Sequence, residues 1–256
     1  VACVGWLQRR GGGGGLLQGF RLAQVSDLHN ATCGRDNARL LAALAQAKPG
    51  IILLTGDLAD SRRTNLAVAL SFARQAAAIA PVYYVPGNHE ARLAQYAAFA
   101  AALEAAGVQV PATRALPLVR GSQRTTIARL PHPGLAQRAG DPRPAEAILG
   151  DALAALRLSS QPFPLLLAHR PEWFPLYAEG GAALVFSGHA HGGQVRLPGI
   201  GGLFAPGQGL FPRYDGGLYR RGQAQLVVSR GLAHRLLPHR VRTRPGVVVA
   251  TPTSAP

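Results

Sequence analysis

RLAQVSDLH (21–29), IILLTGD (51–57), VYYVPGNHE (82–90), PLLLAH (164–169) and ALVFSGHAH (183–191) share one design, a short apolar run that ends on residues able to bind a metal. Buried strands read as short hydrophobic runs bounded by turn residues, and in open α/β sheets ligands gather beyond the carboxyl ends of the strands. One sheet edge is therefore predicted to collect Asp27, His29, Asp57, Asn88, His89, His169, His189 and His191. Asp27 and His29, like His189 and His191, are spaced by two, which on extended backbone returns both side chains to one face. Asp57 follows Gly56 and Asn88 follows Pro86 and Gly87, so each sits on a tight turn that can swing a side chain over the strand ends.

Helix-forming segments separate these runs. DNARLLAALAQA (36–47) begins on an acidic residue and stops before Pro49, and residues 63–79 and 92–106 are Ala-rich. This βαβαβα order over roughly the first 110 residues predicts a parallel sheet with crossover helices. The second half reads as a strand at 125–130, a helix at 145–156, and strands at 165–168, 183–186, 225–229 and 246–250. The expected fold class is α/β, with two mixed sheets packed face to face and flanked by helices.

With 256 residues and 48% hydrophobic content, the chain can bury one large core. Two cysteines, Cys3 and Cys33, build neither a disulfide framework nor a Cys-rich zinc site. A net charge of +15 implies attraction to phosphates, anionic lipid headgroups or nucleic acid, although a single lysine, Lys48, among many arginines also fits coding bias. The sequence starts on Val and contains no Met, so it reads as a fragment or a processed product. VACVGWL ahead of Arg9 and Arg10 reads as the remnant of an anchor, and Gly11 to Gly15 as a linker. The expected division is a stub and linker over 1–18 and one domain over 19–256. The apolar stretch 66–85 is interrupted by Arg74, Gln75 and Pro81. The expectation is a body in the cytoplasm or at a cytoplasmic membrane face, exported if a signal precedes Val1.

Carboxylate, imidazole and amide donors without thiolate favour Mn, Fe, Zn or Ni, and there are too many of them for one tetrahedral zinc. Two ions about 3.5 to 4 Å apart, bridged by a carboxylate, fit the donor count better.

The ordered blocks Asp27-x-His29, Gly56-Asp57, Gly87-Asn88-His89-Glu90, His169 and Gly188-His189-x-His191 resemble the calcineurin-like metallophosphoesterases. Glu90 stands where Asp is common in that family. SDLHN, GDLAD, GNHE, GHAHGGQVRLPG and VVSRGL are most similar to a bacterial branch of small phosphodiesterases and UDP-diacylglucosamine pyrophosphatase-like enzymes. The resemblance implies one metal held by Asp27, His29, Asp57 and His191, and a second by Asp57, Asn88, His169 and His189, with Asp57 as the bridge. His89 is left to bind phosphate or to protonate the departing oxygen. The implied activity is hydrolysis of a phosphodiester or pyrophosphate by metal-activated hydroxide, on a lipid-linked or nucleotide substrate. A nuclease of the same superfamily is one alternative; it is favoured by the charge and disfavoured by only 6% aromatic residues. A scaffold that keeps the fold without catalysis is another, and the full set of donors speaks against it.

Asn30, Glu90, Arg92 and Arg170 flank the donors and are candidates for orienting them or contacting phosphate. Asp60 is expected to cap a helix starting near Ser61, and Cys33 to be a bystander. The glycine-rich segment 192–217 follows the last donor and must lie near the site. Its Leu203, Phe204, Leu210 and Phe211 either receive an acyl chain or a base, or fasten the loop to the core. His132, His234 and His239 read as solvated surface residues.

Overall fold

Alternate residues of a strand face opposite sides, and the central strands of this chain are apolar on both. The computed structural model describes residues 3–10, 17–110, 114–121, 123–197, 199, 201–233 and 245–253. Six strands form the first sheet: β1 (Cys3–Arg10), β2 (Leu22–Val25), β3 (Ile51–Leu54), β4 (Val82–Tyr84), β5 (Val108–Gln109) and β16 (Gly246–Thr253). Their order is β1-β16-β2-β3-β4-β5, parallel from β2 to β5 and antiparallel between β16 and β2. The second sheet holds β6 (Leu116–Arg120), β7 (Gln123–Arg129), β8 (Leu165–Leu167), β9 (Leu184–Ser187), β14 (Gly217–Arg221) and β15 (Ala224–Val228). Its order is β14-β15-β9-β8-β7-β6, with β7, β8, β9 and β15 parallel and both edges antiparallel.

Ile51 and Leu53 of β3 meet Leu165 and Leu167 of β8 and Phe186 of β9 in the layer between the sheets. Ile52 and Leu54 face the other way, against α1 (Ala38–Ala47), α2 (Leu66–Ala77) and α3 (Tyr96–Ala105). In the second sheet Leu166 and Val185 face α5 (Ala145–Leu156) and α6 (Phe174–Glu179). The short α4 (Pro133–Arg138) completes the set of helices. The result is a four-layer sandwich, helices on sheet on sheet on helices, as expected from the sequence. The helices dock through apolar stripes at helical spacing, Leu40, Leu44 and Ala47 on α1 and Leu149, Leu153 and Leu156 on α5. Each such buried Leu contributes about 1.5–3 kcal/mol of transfer free energy. One polar side chain crosses the inter-sheet layer: fully buried Gln24 donates through Nε2 to Thr55 Oγ1 (2.9 Å) and to the Ser187 carbonyl (2.8 Å). It ties β2 to the ends of β3 and β9, the ends from which the metal-binding residue types project.

Three expected helix starts lie several residues upstream of the observed ones. Asp36 and Asn37 have left-handed backbone (φ 49° and 63°), so α1 begins only at Ala38. Glu90 to Arg92 form a separate 3-10 turn ahead of α3. Residues 3–10, read above as lying outside the domain, pair in parallel with β16 along their whole length. Leu17 is buried in the inter-sheet layer. Among the described residues no helix is long and apolar enough to cross a membrane. His234 and His239 lie outside the described residues.

Candidate metal centre

Five turns deliver the side chains, each at the carboxyl end of a strand. Asp27 and His29 follow β2, Asp57 follows β3, Asn88 and His89 follow β4, His169 follows β8, and His189 and His191 follow β9. The turns are laced together through their backbones: Asp27 N–H donates to the Gly56 carbonyl (3.0 Å), His29 N–H to Asp57 O (3.0 Å) and Gly188 N–H to His169 O (3.0 Å). Asp27, His29, Asp57, His189 and His191 all adopt left-handed backbone, with φ between 46° and 69°. Asp and His tolerate that region better than most residues, but holding so many of them there is a concentration of strain of the kind that gathers at functional sites. Gly56 (φ +88°) permits a close approach, because a Cβ there would fall 2.5 Å from His169 Nδ1 and 2.7 Å from Gly87 N.

Asp57 sits in the middle. Its Oδ2 is 3.6 Å from His29 Nε2 and 3.4 Å from His169 Nε2, while its Oδ1 accepts the His89 backbone N–H at 2.8 Å. On one side, Asp27 Oδ1 is 3.4 Å from His191 Nε2, which is 3.4 Å from His29 Nε2. On the other, His169 Nε2 is 3.2 Å from Asn88 Oδ1. Two groupings, Asp27 with His29 and His191, and Asp57 with His169 and His189, have donor atoms within 4.8 Å of one another. With Asn88 beside His169, these six make up the seven side chains expected as metal ligands, and Asp57 Oδ2, between His29 and His169, joins the two clusters.

A third grouping, His29 with Asp57 and His89, meets the same distance condition. His89 differs in that its Nδ1 accepts the Ser61 backbone N–H at 2.9 Å, which puts the proton of a neutral ring on Nε2. Its ring stands edge-on to His29, with centroids 4.6 Å apart.

The donors fit divalent cations. His169 Nδ1 lies 2.7 Å from the Thr55 carbonyl, which can only accept, so the ring turns Nε2 towards Asp57 and Asn88, as ligating imidazoles do. His189 is buried, and among the described residues neither of its ring nitrogens has a hydrogen-bond partner, an arrangement that costs about 1–3 kcal/mol per group unless something fills it. Burial together with the neighbouring His169 pushes the His189 imidazole well down, which keeps it neutral. Burial alone would push the Asp57 carboxyl up, but His169, His29 and His89 outweigh it and hold the group well below the usual carboxylate range. Burial likewise opposes charge on His169, and the Asp57 and Asp27 carboxylates override it, raising the imidazole to about 9.

Glu90 is the member of the set whose role the sequence left most open. It is fully buried; Oε2 accepts the N–H groups of Asp57 and Gly87 (both 2.8 Å), and Oε1 accepts that of Ala59 (2.9 Å). One carboxylate thus fixes the turns carrying Asp57 and Asn88. Burial, with the nearby Asp57 charge, raises it to about 7. Asp60 does not cap a helix, because α2 starts only at Leu66. It accepts the N–H groups of Arg62 and Arg63 instead, and its other contacts are His89 (3.5 Å) and His29 (3.8 Å).

His132 is not a solvated surface residue. It accepts the Gly134 N–H through Nδ1 at the start of α4 and lines a cavity of about 430 Å³ together with Asn88 and His189. The glycine-rich segment reaches the same cavity through Gln194, Phe204, Pro206 and Gly207. It forms two small hairpins, β10 (Arg196–Leu197) with β11 (Gly201–Gly202) and β12 (Phe204–Ala205) with β13 (Gly209–Leu210). Polar contacts pin it: Asp215 Oδ2 accepts from Arg196 and from Gly202 N–H, both at 2.6 Å. Phe204, Leu210 and Phe211 are 38%, 67% and 60% exposed, so they do not fasten the loop to the core.

Residues 20–193, which contain every donor named above, match the calcineurin-like phosphoesterase family. The chain belongs to that family. It is accordingly a metal-dependent phosphoric ester hydrolase. An uncharacterized metallophosphoesterase of Bacillus subtilis (strain 168), YkuE, is 30% identical over 241 residues, 92% of this chain and 79% of that protein. Phosphodiesterase YaeI of Escherichia coli (strain K12) is 35% identical over 85 residues, 33% of this chain and 30% of that protein. A transmembrane protein with a metallophosphoesterase domain from Danio rerio is 26% identical, and the match covers 89% of this chain but 52% of that protein. The crystal structure of TT1561 of Thermus thermophilus superposes with a TM-score of 0.56 at 16% identity, over 83% of this chain and 89% of that one, which shows the shared sandwich.

Proposed function

We propose that the phosphoesterase domain expected over residues 19–256, with residues 3–10 added to its first sheet through β16, hydrolyses a phosphodiester or pyrophosphate bond at a pair of divalent ions. Asp57 Oδ2, lying 3.6 Å from His29 Nε2 and 3.4 Å from His169 Nε2, carries this reading, because a carboxylate between two imidazole clusters suits a bridge. Asp27, His29, Asp57 and His191 would hold one ion, and Asp57, Asn88, His169 and His189 the other. When bound, such ions supply Lewis-acid activation of water and neutralise charge on phosphate. The chain's own residues then do three things. Glu90 and the backbone ladder hold the donors in place, and burial keeps bulk water from the carboxylates. His89 holds a proton at Nε2 for the departing oxygen, with the Ser61 N–H donated to Nδ1 orienting its ring.

Protein loaded with Mn is expected to hydrolyse bis(p-nitrophenyl) phosphate, and Asp57→Ala or His189→Ala to abolish the activity. Full activity in either variant would remove the proposed centre. The E. coli relative is named a phosphodiesterase, which favours diesters. The exposed Phe204, Leu210 and Phe211 beside the cavity, with a net charge of +15, favour a lipid-linked anion met at an anionic membrane surface. UDP-diacylglucosamine should then be cleaved far faster than a plain nucleotide diester or DNA. Equal rates on all three would reject the lipid reading, and DNA cleaved fastest would support the nuclease alternative.

A further inference from the structure

The cavity beside Asn88 and His189 is lined by hydrogen-bond donors out of proportion to one phosphodiester charge. Arg62 and Arg92 both line it, and neither guanidinium pairs with a carboxylate or any other group among the described residues. Arg170 lines it too, and is already paired with Glu172 at 2.6 Å. His132 contributes a neutral ring: Gly134 N–H occupies Nδ1, so the proton is on Nε2, which is buried and has no acceptor among the described residues. Gln194, in the strained left-handed region at φ 59°, brings an amide nitrogen that is also buried without an acceptor among the described residues. Among the described residues no carboxylate lines the cavity.

Like charges in one cavity repel, and orphaned buried donors are penalised, so the arrangement is costly when nothing anionic is present. A phosphodiester held by two divalent ions brings a single negative charge, which those ions already neutralise. The guanidiniums are surplus to that task, and guanidinium is the group best suited to grip a second phosphate or carboxylate in bidentate fashion.

We propose that this cavity is a subsite for a second anionic group of the substrate, gripped by Arg62 and Arg92 with help from His132 and Gln194, while the scissile phosphate lies at the Asp57 centre. The inference rests on the hydrolase reading and narrows it to doubly anionic substrates: pyrophosphates, or phosphodiesters whose flanking group carries a phosphate or carboxylate. Phe204 and Pro206 supply the apolar wall against which the connecting part of such a molecule lies.

Calorimetric titration with thymidine 5′-monophosphate and with thymidine 3′,5′-bisphosphate reads the subsite without turnover. Wild-type protein loaded with Mn is expected to bind the bisphosphate at least tenfold more tightly. In the doubly substituted Arg62→Gln/Arg92→Gln protein the preference should fall below threefold. Both positions are exposed, so the fold should survive, and circular dichroism checks that. Equal binding of the two ligands by wild type, no binding of the bisphosphate, or an undiminished preference in the variant would each overturn the subsite. A protein that prefers the bisphosphate but never hydrolyses bis(p-nitrophenyl) phosphate would instead refute the hydrolase reading and leave the subsite standing.

Discussion

The floor and the rim of the site are built on opposite principles. On the floor, Asp27, Asp57, His169, His189 and His191 are buried, all but His169 have left-handed backbone, and cross-turn hydrogen bonds tie Asp27 to Gly56, Asp57 to His29 and His169 to Gly188. At the rim, Arg62, Arg92, Phe204, Leu210 and Phe211 are exposed and hang from a bend, a 3-10 turn and a two-residue hairpin. The floor is over-determined, as preorganised catalysis requires. The rim is lightly constrained, so its side chains can change without disturbing the fold, and substrate choice belongs there.

Substitutions test that contrast, the largest effects falling on the floor. His189→Ala removes a buried donor of one cluster and should lower turnover at least a thousandfold with loss of bound metal, read by steady-state kinetics and elemental analysis. Turnover and metal content both near wild type would mean His189 is structural. His89→Gln should lower turnover about a hundredfold or more while metal content holds. A variant that instead loses its metal would move His89 into the ligand set. Glu90→Gln replaces the common acceptor of three backbone N–H groups with one that offers a single acceptor oxygen, and should destabilise the fold by about 3 kcal/mol in denaturant unfolding. An unchanged midpoint would show that the turns hold themselves.

The rim answers differently. Leu210→Ser with Phe211→Ser should shift stability by no more than about 0.5 kcal/mol, because both side chains are already in water. The same pair should cut cleavage of UDP-diacylglucosamine by more than threefold relative to bis(p-nitrophenyl) phosphate. A large loss of stability would mean that the hairpin is a packing element after all, and the contrast would fail.

Most of the floor was legible in the sequence because strand ends and metal-binding residue types are local signals. Apolar runs ending at Asp27, Asp57, Asn88, His169 and His189 predicted both the strands and the convergence, and α5 begins and ends where its pattern said. What stayed hidden depends on distant packing. Glu90 reaches back more than thirty residues to Asp57 N–H, and Asp60 faces His89 only because the turns after β3 and β4 are adjacent. His132 sits in a Pro-rich stretch that looks solvated until α4 folds against the site. The pairing of residues 3–10 with β16 joins opposite ends of the chain, which no local pattern announces. The left-handed backbone at the donors was equally silent, since Asp and His permit it without requiring it.

Metal stoichiometry measured alongside turnover is the most direct test of a shared carboxylate between two cations. Wild-type protein should carry two divalent ions per chain and cleave bis(p-nitrophenyl) phosphate, and Asp57→Ala should lose both ions and all detectable cleavage. Wild-type protein with no more than one ion at full activity, or an Asp57→Ala variant that still turns over, would contradict the account.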